Sequence, residues 1–266
     1  MQLNNYQNPR KLSPSSVSRE ETLYPSINLS EHVSVPTYYL VISLAVCISL
    51  VWITRRADKN DFNQRKVLDL SLIIMAAGFL GGRLFHILYE EPTYYFQDPV
   101  QMLAFWNGGF VFYGGVLLAA PAALFYLYKT DRENIPPYLD LFAPVLAVTY
   151  AIGRGACLLA GCCYGKYCEL PWAVSGRHPT QAYSALWEIG VVFILLGLEK
   201  QNKRPGFIFY LWMILHGLGR LMMEAFRDDF RGPHWGLSVS SWISVFIISI
   251  GVFLILRRPK NTSKAK

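Results

Sequence analysis

Three arginines lie inside apolar stretches of the sequence, where a charged side chain is costly. Arg83 occurs in "FLGGRLFHIL", Arg154 in "AIGRGACLL" and Arg220 in "LHGLGRLMMEAFRDD", each directly after a glycine that permits close approach of a ligand or backbone. A guanidinium at mid-bilayer costs at least about 2.5–3.5 kcal/mol unless it is paired or solvated. Because its planar fork matches phosphate oxygens, the arginines predict an anion site within the membrane, suited to a phospholipid head group.

A structural role is the alternative for each arginine. The side chain could extend to the membrane surface, or it could pair with a carboxylate of another helix. Glu188, Glu224 and Asp140 are available for such pairing. Glu224 follows Arg220 by four residues, which places both side chains on one face of a helix.

Four cysteines lie within twelve residues directly after Arg154, in "ACLLAGCCYGKYC". Cys157 and Cys162 could pack as small, weakly polar residues. Two of Cys162, Cys163 and Cys168 could instead form a disulfide on an oxidising outer side of the membrane. A catalytic or acyl-carrying thiol is a third alternative. Metal binding has the least support, because both intervals are Cys-x4-Cys and no histidine motif accompanies them. We therefore predict no metal ligands here.

Other polar residues lie near the ends of apolar stretches. His178 precedes Pro179, a residue well suited to the first turn of a helix, and Arg177 and Gln181 flank it. The histidine could be a hydrogen-bond partner at the helix start or a base in a polar site. The segment "WNGGFVFYGG" carries Tyr113 between glycine pairs.

Composition predicts an all-α integral membrane protein. Of the 266 residues, 53% are hydrophobic and only 16% are charged, and the apolar stretches have roughly the 17–25 residues that cross a bilayer as a helix. Buried helices of a soluble protein are the alternative. The third stretch contains the glycine-rich break and should not be one continuous helix. We predict about seven spans: Tyr38–Ile53, Val67–Leu88, Val100–Tyr128, Tyr138–Ala160, Ala182–Leu198, Gly206–Ala225 and Val239–Leu256.

The distribution of positive charge predicts the orientation of these spans. One set of alternating connections carries 15 Lys and Arg residues and the opposite set carries 7. The positive-inside rule then places the N-terminus outside and the C-terminus in the cytoplasm, as an odd number of spans requires. The same distribution explains the net charge of +7 without nucleic acid as a partner.

The sequence divides into one membrane domain and two polar ends. Residues 1–35 are rich in Ser and Asn, contain no apolar core and do not read as a signal peptide, so we expect a disordered outer tail. Residues 36–257 form the seven-span domain, and residues 258–266 form a basic cytoplasmic tail.

The motifs together resemble the prolipoprotein diacylglyceryl transferase family. From about Tyr38 to Leu256, six segments occur in the family's order: "YYLVISLA" followed by "ITRR", "FLGGRLFHIL", "FWNGGFVFYGGVL", "GRGACLLAGCCYGK", "RHPTQAY" and "GRLMMEAFRDD". One such motif would be weak, but six in order on a matching layout are specific. The "GCCYG" segment resembles a divergent branch of the family.

The resemblance implies a reaction and a location. The family transfers the diacylglyceryl group of phosphatidylglycerol to the lipobox cysteine of preprolipoproteins, the first step of bacterial lipoprotein maturation in the inner membrane. It implies Arg154 and Arg220 as phosphate-handling residues, His178 and Tyr113 as catalytic candidates, and Arg83, Tyr38 and Glu224 as further substrate-binding residues. No metal or soluble cofactor is implied, because displacement at the glyceryl carbon needs neither redox chemistry nor a Lewis acid.

The sequence departs from the family pattern at several site positions. Tyr113 replaces the histidine of the family's His-Gly-Gly segment, and with an ordinary pKa near 10 tyrosine is a poorer base at neutral pH. In the signature, Cys157 and Ala160 replace two asparagines and Cys162 replaces a glutamate, and Ser184 replaces a glutamate further along.

These departures leave other functions open. A relative with the same fold and lipid donor could use a different acceptor. A non-catalytic phospholipid-binding or transport protein would also suit buried arginines within seven spans. A redox carrier built on adjacent Cys162 and Cys163 is a further alternative.

Overall fold

The fold is a bundle of long helices with a short hairpin in front of the first. A computed structural model describes residues 26–30, 33–105, 108–201, 204–227 and 237–257. The eight α-helices of this part of the chain are α1 (Thr37–Lys59), α2 (Gln64–Phe85), α3 (Pro92–Gln97), α4 (Phe112–Thr130), α5 (Ile135–Leu159), α6 (Thr180–Glu199), α7 (Phe207–Glu224) and α8 (Val239–Leu256). Three short helical turns connect them: a π-helix at His86–Glu90 and 3-10 helices at Pro99–Leu103 and Arg132–Asn134.

The residues just before α1 form an antiparallel hairpin of β1 (Ser26–Ser30) and β2 (Val33–Pro36). This corrects the prediction of disorder for the last part of residues 1–35, while residues 1–25 lie outside the described residues. Ile27 and Val35 are β-branched residues that pair directly across the two strands. Both strands also contact α1, so the hairpin packs against a helix and does not need an apolar core of its own. The predicted basic tail at 258–266 also lies outside the described residues.

The protein is a multi-pass membrane protein by the length and composition of its helices. Within the described residues, six helices are long and apolar enough to cross a bilayer: Thr37–Lys59, Gln64–Glu90, Phe112–Thr130, Arg132–Leu159, Thr180–Glu199 and Val239–Leu256. The predicted span Gly206–Ala225 coincides with α7. Because α7 carries His216, Arg220 and Glu224, its mean hydropathy is below that of these six helices. The count of seven spans therefore stays a prediction.

Large apolar side chains cover the outer surface of the bundle. Leu80, Phe125, Phe193 and Phe246 each expose more than 60% of their surface. Exposed apolar surface on this scale marks a face that contacts lipid or a partner. Together with the spans above, it agrees with a bundle surrounded by hydrocarbon.

The glycine-rich segment breaks the third apolar stretch, as predicted. Helix α4 begins only at Phe112, and Gly108 and Gly109 before it adopt positive φ values of 79°. Glycine also brings α4 close to α2. A Cβ atom on Gly81 would lie 2.5 Å from the carbonyl oxygen of Gly114, so only glycine allows this separation of the two backbones.

The larger apolar core lies at the helix ends that adjoin the basic connections. It joins α1, α2, α4 and α5 through Ile53, Ala57, Val67, Leu70, Leu127, Tyr138, Leu141, Phe142 and Val145. Beside it, Arg56 of α1 forms a two-point ion pair with Glu199 of α6, with N–O distances of 2.6 and 3.2 Å. From α5, the Asp140 carboxylate accepts hydrogen bonds from Gly206 N (2.6 Å) and Phe209 N (2.8 Å) at the start of α7.

The helices bring the predicted site residues to the opposite end of the bundle. Tyr38, Tyr113 and Ser240 lie in the first turns of α1, α4 and α8. Arg154 and Arg220 lie near the last turns of α5 and α7. Because α5 contacts α1, α6 and α7, and α7 contacts α8, these ends lie close together in the bundle.

Candidate active site

Four helices contribute side chains to a polar cluster around Arg220. Its Nη2 atom donates a 2.8 Å hydrogen bond to Ser240 Oγ on α8, and Nη1 lies 3.5 Å from the Tyr150 hydroxyl on α5. The Tyr113 hydroxyl on α4 lies 3.0 Å from the same Ser240 Oγ. The guanidinium is therefore held by neutral hydroxyl groups and keeps its positive charge uncompensated within this cluster.

A narrow crevice adjoins Arg220. It is lined by Tyr150, Ser184, Trp187, Glu188, Gly219, Arg220 and Met223 and has no room for a water molecule between these side chains. Polar atoms of a head group could therefore enter only after the lining side chains move apart. Any acyl chains would have to lie along the apolar outer faces of the helices.

A buried histidine–carboxylate pair closes the crevice on one side. His216 Nδ1 lies 2.5 Å from Glu188 Oε1, and the Glu188 side chain is almost fully buried. The His216 ring contacts Tyr150 edge-on, with 4.8 Å between ring centroids. Because Tyr150 also contacts Arg220, the pair helps to position the tyrosine that faces the guanidinium.

Arg154 is the second arginine at this end of the bundle. It lies one helical turn after Tyr150 on α5 and exposes only 9% of its surface. Its Nε and Nη2 atoms have no hydrogen-bond partner among the described residues. Unpaired buried guanidinium nitrogens are costly, so Arg154 is a candidate ligand for an anion.

The span carboxylates that could have neutralised the arginines have other partners. Glu188 pairs with His216, and Asp140 caps α7 at the far end of the bundle. In the described part of the chain, Glu224 makes no ion pair with Arg220, although it lies four residues away, and its Oε2 atom is buried without a partner. Pairing with these carboxylates therefore does not account for Arg154 or Arg220.

Arg83 has a different environment from the other two arginines. Its guanidinium donates hydrogen bonds to backbone carbonyls before and within the glycine-rich break, those of Gln101, Met102, Ala104, Gly108 and Gly109. It also packs 5.2 Å from the ring centroid of Tyr95. These contacts satisfy its nitrogens and hold the irregular segment before α4, so we do not place Arg83 in the anion site.

Three cysteines gather beside Arg154. The Sγ atoms of Cys157, Cys162 and Cys163 all lie within 4.8 Å of one another, and all three thiols are unbridged. Hydrogen bonds with the other two thiols lower the pKa of Cys163, and the guanidinium groups of Arg227 and Arg154 act in the same direction. Tyr38, at the start of α1, lies within electrostatic range of all three sulfurs. Cys168 does not belong to this group.

His178 lies in the connection between α5 and α6 rather than beside Arg220. Its backbone pairs with this same connection, through His178 N to Lys166 O (3.0 Å) and Gly165 N to His178 O (2.9 Å). Its Nδ1 atom lies 3.3 Å from the Tyr183 hydroxyl. Lys166 N donates in turn to Phe226 O just after α7, which docks the whole connection on the end of that helix.

The structure thus assembles part of the predicted site. Arg220 and Tyr113 share one cluster, Arg154 and Tyr38 share a second, and α5 links the two clusters through Tyr150 and Arg154. Sequence reasoning missed Tyr150, Ser240 and the pairing of His216 with Glu188. The only available signal for Tyr150 was its spacing of one helical turn from Arg154, and Ser240 stands in an undistinguished "SVSSW" segment.

Comparison with known proteins identifies the family. A model of the prolipoprotein diacylglyceryl transferase family matches residues 26–257. The chain belongs to this family. The match covers both arginine clusters and the connection that carries the cysteines and His178.

Curated relatives agree with the family assignment. The phosphatidylglycerol–prolipoprotein diacylglyceryl transferase of Clostridium tetani is 32% identical over 229 residues, covering 82% of this chain and 90% of the relative. The transferase of the same name from Nitrosomonas europaea is 34% identical over 213 residues, covering 75% and 76%. A second such transferase from Clostridium perfringens is 30% identical over 229 residues, covering 82% and 89%.

Proposed function

We propose that this protein transfers the diacylglyceryl group of phosphatidylglycerol to the lipobox cysteine of preprolipoproteins. The thiolate sulfur attacks the glyceryl carbon that bears the phosphate ester. A carbon–sulfur bond forms, the carbon–oxygen bond breaks, and glycerol phosphate leaves with the electron pair. The observation that supports this proposal most is a pair of arginines without carboxylate partners inside the bundle of a family member. Arg154 is buried and Arg220 is half-buried.

The arginines fit the leaving group of this reaction. Negative charge rises on the phosphate oxygens in the transition state, and fixed cations in a dry site stabilise such charge strongly. Arg154 would contribute its two unpartnered nitrogens, and Arg220 would contribute a charge held by the hydroxyls of Ser240 and Tyr150. We propose Tyr38 and Glu224 as further residues of the donor site, since both lie at this end of the bundle.

Two residues, His178 and Tyr113, are candidates for activating the thiol of the acceptor cysteine. A thiol has an ordinary pKa near 8.5 and reacts as the thiolate, so a nearby base or positive potential is useful. The Tyr113 hydroxyl contacts Ser240, which in turn contacts Arg220, so this hydroxyl is suited to orienting a substrate oxygen. His178 lies on the connection that docks on the end of α7, and we propose it as the base.

The location follows from the same chemistry. We place the protein in the bacterial inner membrane, with the N-terminus outside and the site near the outer leaflet. Phosphatidylglycerol would then enter laterally from the bilayer, and the acceptor would be the signal peptide of an exported precursor. Nucleic acid has no part in this reaction.

The test is a mass assay with purified protein, phosphatidylglycerol and a lipobox peptide. We expect a diacylglyceryl mass on the peptide cysteine, and a rate about 10²–10³-fold lower for Arg154→Ala, the usual effect of removing one fixed donor from a developing anion. Arg65→Ala is the matched control, because Arg65 is exposed on the basic side of the bundle.

Two other results would redirect the assignment. Transfer from phosphatidylglycerol to some other thiol, with the lipobox peptide unmodified, would favour a different acceptor; Cys157 and Cys162 in the signature are the observation that raises this candidate. Tight binding of phosphatidylglycerol without any product would favour a lipid-binding or transport protein.

A further inference from the structure

We propose that Cys157, Cys162 and Cys163 form a binding site for one thiophilic divalent cation of the Zn²⁺ type. The spacing of these cysteines in the sequence does not match a zinc motif. The fold nevertheless brings the three sulfur atoms to one point, because Cys157 lies in the last turn of α5, next to a tight turn that carries the other two. The three cysteines adjoin Arg154 of the proposed transfer site, but binding of the ion does not depend on the transfer reaction.

The distances between the sulfur atoms suit three ligands of one ion. With zinc–sulfur bonds of about 2.3 Å, sulfurs around a tetrahedral ion lie about 3.8 Å apart. The three Sγ atoms here all lie within 4.8 Å of one another, and those of Cys162 and Cys163 are 3.6 Å apart. Small side-chain rotations would therefore complete the geometry without moving the backbone.

The backbone of the turn is fixed by buried side chains of α6. Thr180 Oγ1 donates a 2.8 Å hydrogen bond to Cys163 O, and Gln181 Nε2 donates to Cys162 O. Both side chains are fully buried. Cys163 adopts a positive φ of 65°, which is uncommon outside glycine and is held in place by this support. Its thiol is thereby directed towards the other two.

The surrounding charge suits an anionic metal centre. Three thiolates and a divalent cation carry a net charge of −1. The guanidinium groups of Arg154 and Arg227 both act electrostatically on Cys163, and both arginines are buried. Buried cations lower the electrostatic free energy of holding several thiolates close together. Cys162 and Cys163 are exposed, so an ion in solution can reach the sulfurs.

Metal binding would have two consequences at this end of the bundle. It would tie the end of α5 to the connection that carries His178. If the proposed transfer occurs next to Arg154, it would also mask three nucleophilic thiols from the alkylating donor. The ion itself would be structural, since the displacement needs no Lewis acid.

Metal titration of the full-length protein tests the proposal. The reduced, chelator-treated protein in detergent is titrated with Cd²⁺ and, separately, with Zn²⁺. We expect one ion per chain, a thiolate-to-Cd²⁺ charge-transfer band in the ultraviolet, and protection of three cysteines from maleimide. The band should be lost in Cys163→Ser and in Cys157→Ser. Cys47→Ser and Cys168→Ser are matched controls that should retain it.

Three results would overturn the proposal: no uptake by the wild-type protein, uptake that persists without Cys163, or a disulfide among the three cysteines in protein isolated without reductant. The last result would assign the cluster to redox chemistry instead. Maleimide protection is read on the wild-type chain by peptide mass mapping, so the test does not depend on the folding of any variant.

Discussion

Arg220 and Tyr113 are joined through a single hydroxyl group. Ser240 Oγ accepts a 2.8 Å hydrogen bond from Arg220 and lies 3.0 Å from the Tyr113 hydroxyl, which brings α7, α4 and α8 together at one point. Ser240 is itself buried. The position of the guanidinium therefore depends on a residue that no sequence motif marks.

Replacing Ser240 by alanine should reduce transfer without removing the charge of Arg220. A hydrogen bond to a charged group contributes about 1.5–3 kcal/mol, so we expect kcat/KM to fall about tenfold to a hundredfold. Ser249→Ala is the control on the same helix, because among the described residues the Ser249 hydroxyl bonds only the carbonyl of Val245 one turn before it. Equal rates for the two variants would show that Ser240 does not position Arg220.

Replacing His178 should slow the reaction and leave the fold intact. The connection around His178 is held by its backbone bonds to Lys166 and Gly165, which His178→Ala retains. Loss of a general base lowers rates by about 10²–10⁴-fold. Tyr183→Phe, which removes the hydroxyl beside the imidazole, is the control. A rate within a few-fold of wild type for His178→Ala would assign the base elsewhere.

Removing one member of the His216–Glu188 pair should destabilise the protein more than removing both. His216→Leu leaves the buried Glu188 carboxylate without its partner, at a cost of about 3–5 kcal/mol. Adding Glu188→Leu removes that penalty, so thermal unfolding in detergent should show partial recovery. If the two substitutions change the free energy of unfolding by amounts that simply add, the contact between His216 and Glu188 contributes nothing to stability.

Gly81 should tolerate no side chain, in contrast to a glycine on the lipid-facing part of the bundle. A Cβ atom at Gly81 would meet the Gly114 carbonyl at 2.5 Å and Leu118 Cβ at 2.7 Å. Overpacking of this kind costs about 1–3 kcal/mol, so Gly81→Ala should lower the unfolding temperature. Gly190→Ala is the matched control, since nothing lies within 4 Å of its Cβ position. Similar unfolding temperatures for both variants would contradict the close packing of α2 and α4.

Local sequence was sufficient to predict the long helices and the order of the motifs, although not the short helix α3. Apolar runs determine where a span forms because hydrophobicity acts residue by residue, and the predicted Tyr138–Ala160 and Val239–Leu256 lie close to α5 and α8 as observed. The glycine-rich break before α4 was predicted for the same reason, since positive φ at Gly108 and Gly109 is a local property. The hairpin was missed because its pairing gains support from α1.

The contacts of the polar side chains depend on the packing of the helices against each other. Hydropathy alone predicts three arginines in apolar stretches, but it does not distinguish their environments. The fold surrounds Arg83 with carbonyls, holds Arg220 by hydroxyls and leaves two nitrogens of Arg154 unpaired. It also brings Cys157 together with Cys162 and Cys163, whose spacing matched no metal motif. The physical reason is that such contacts depend on the rotation and depth of each helix against its neighbours, which local hydrophobicity does not specify.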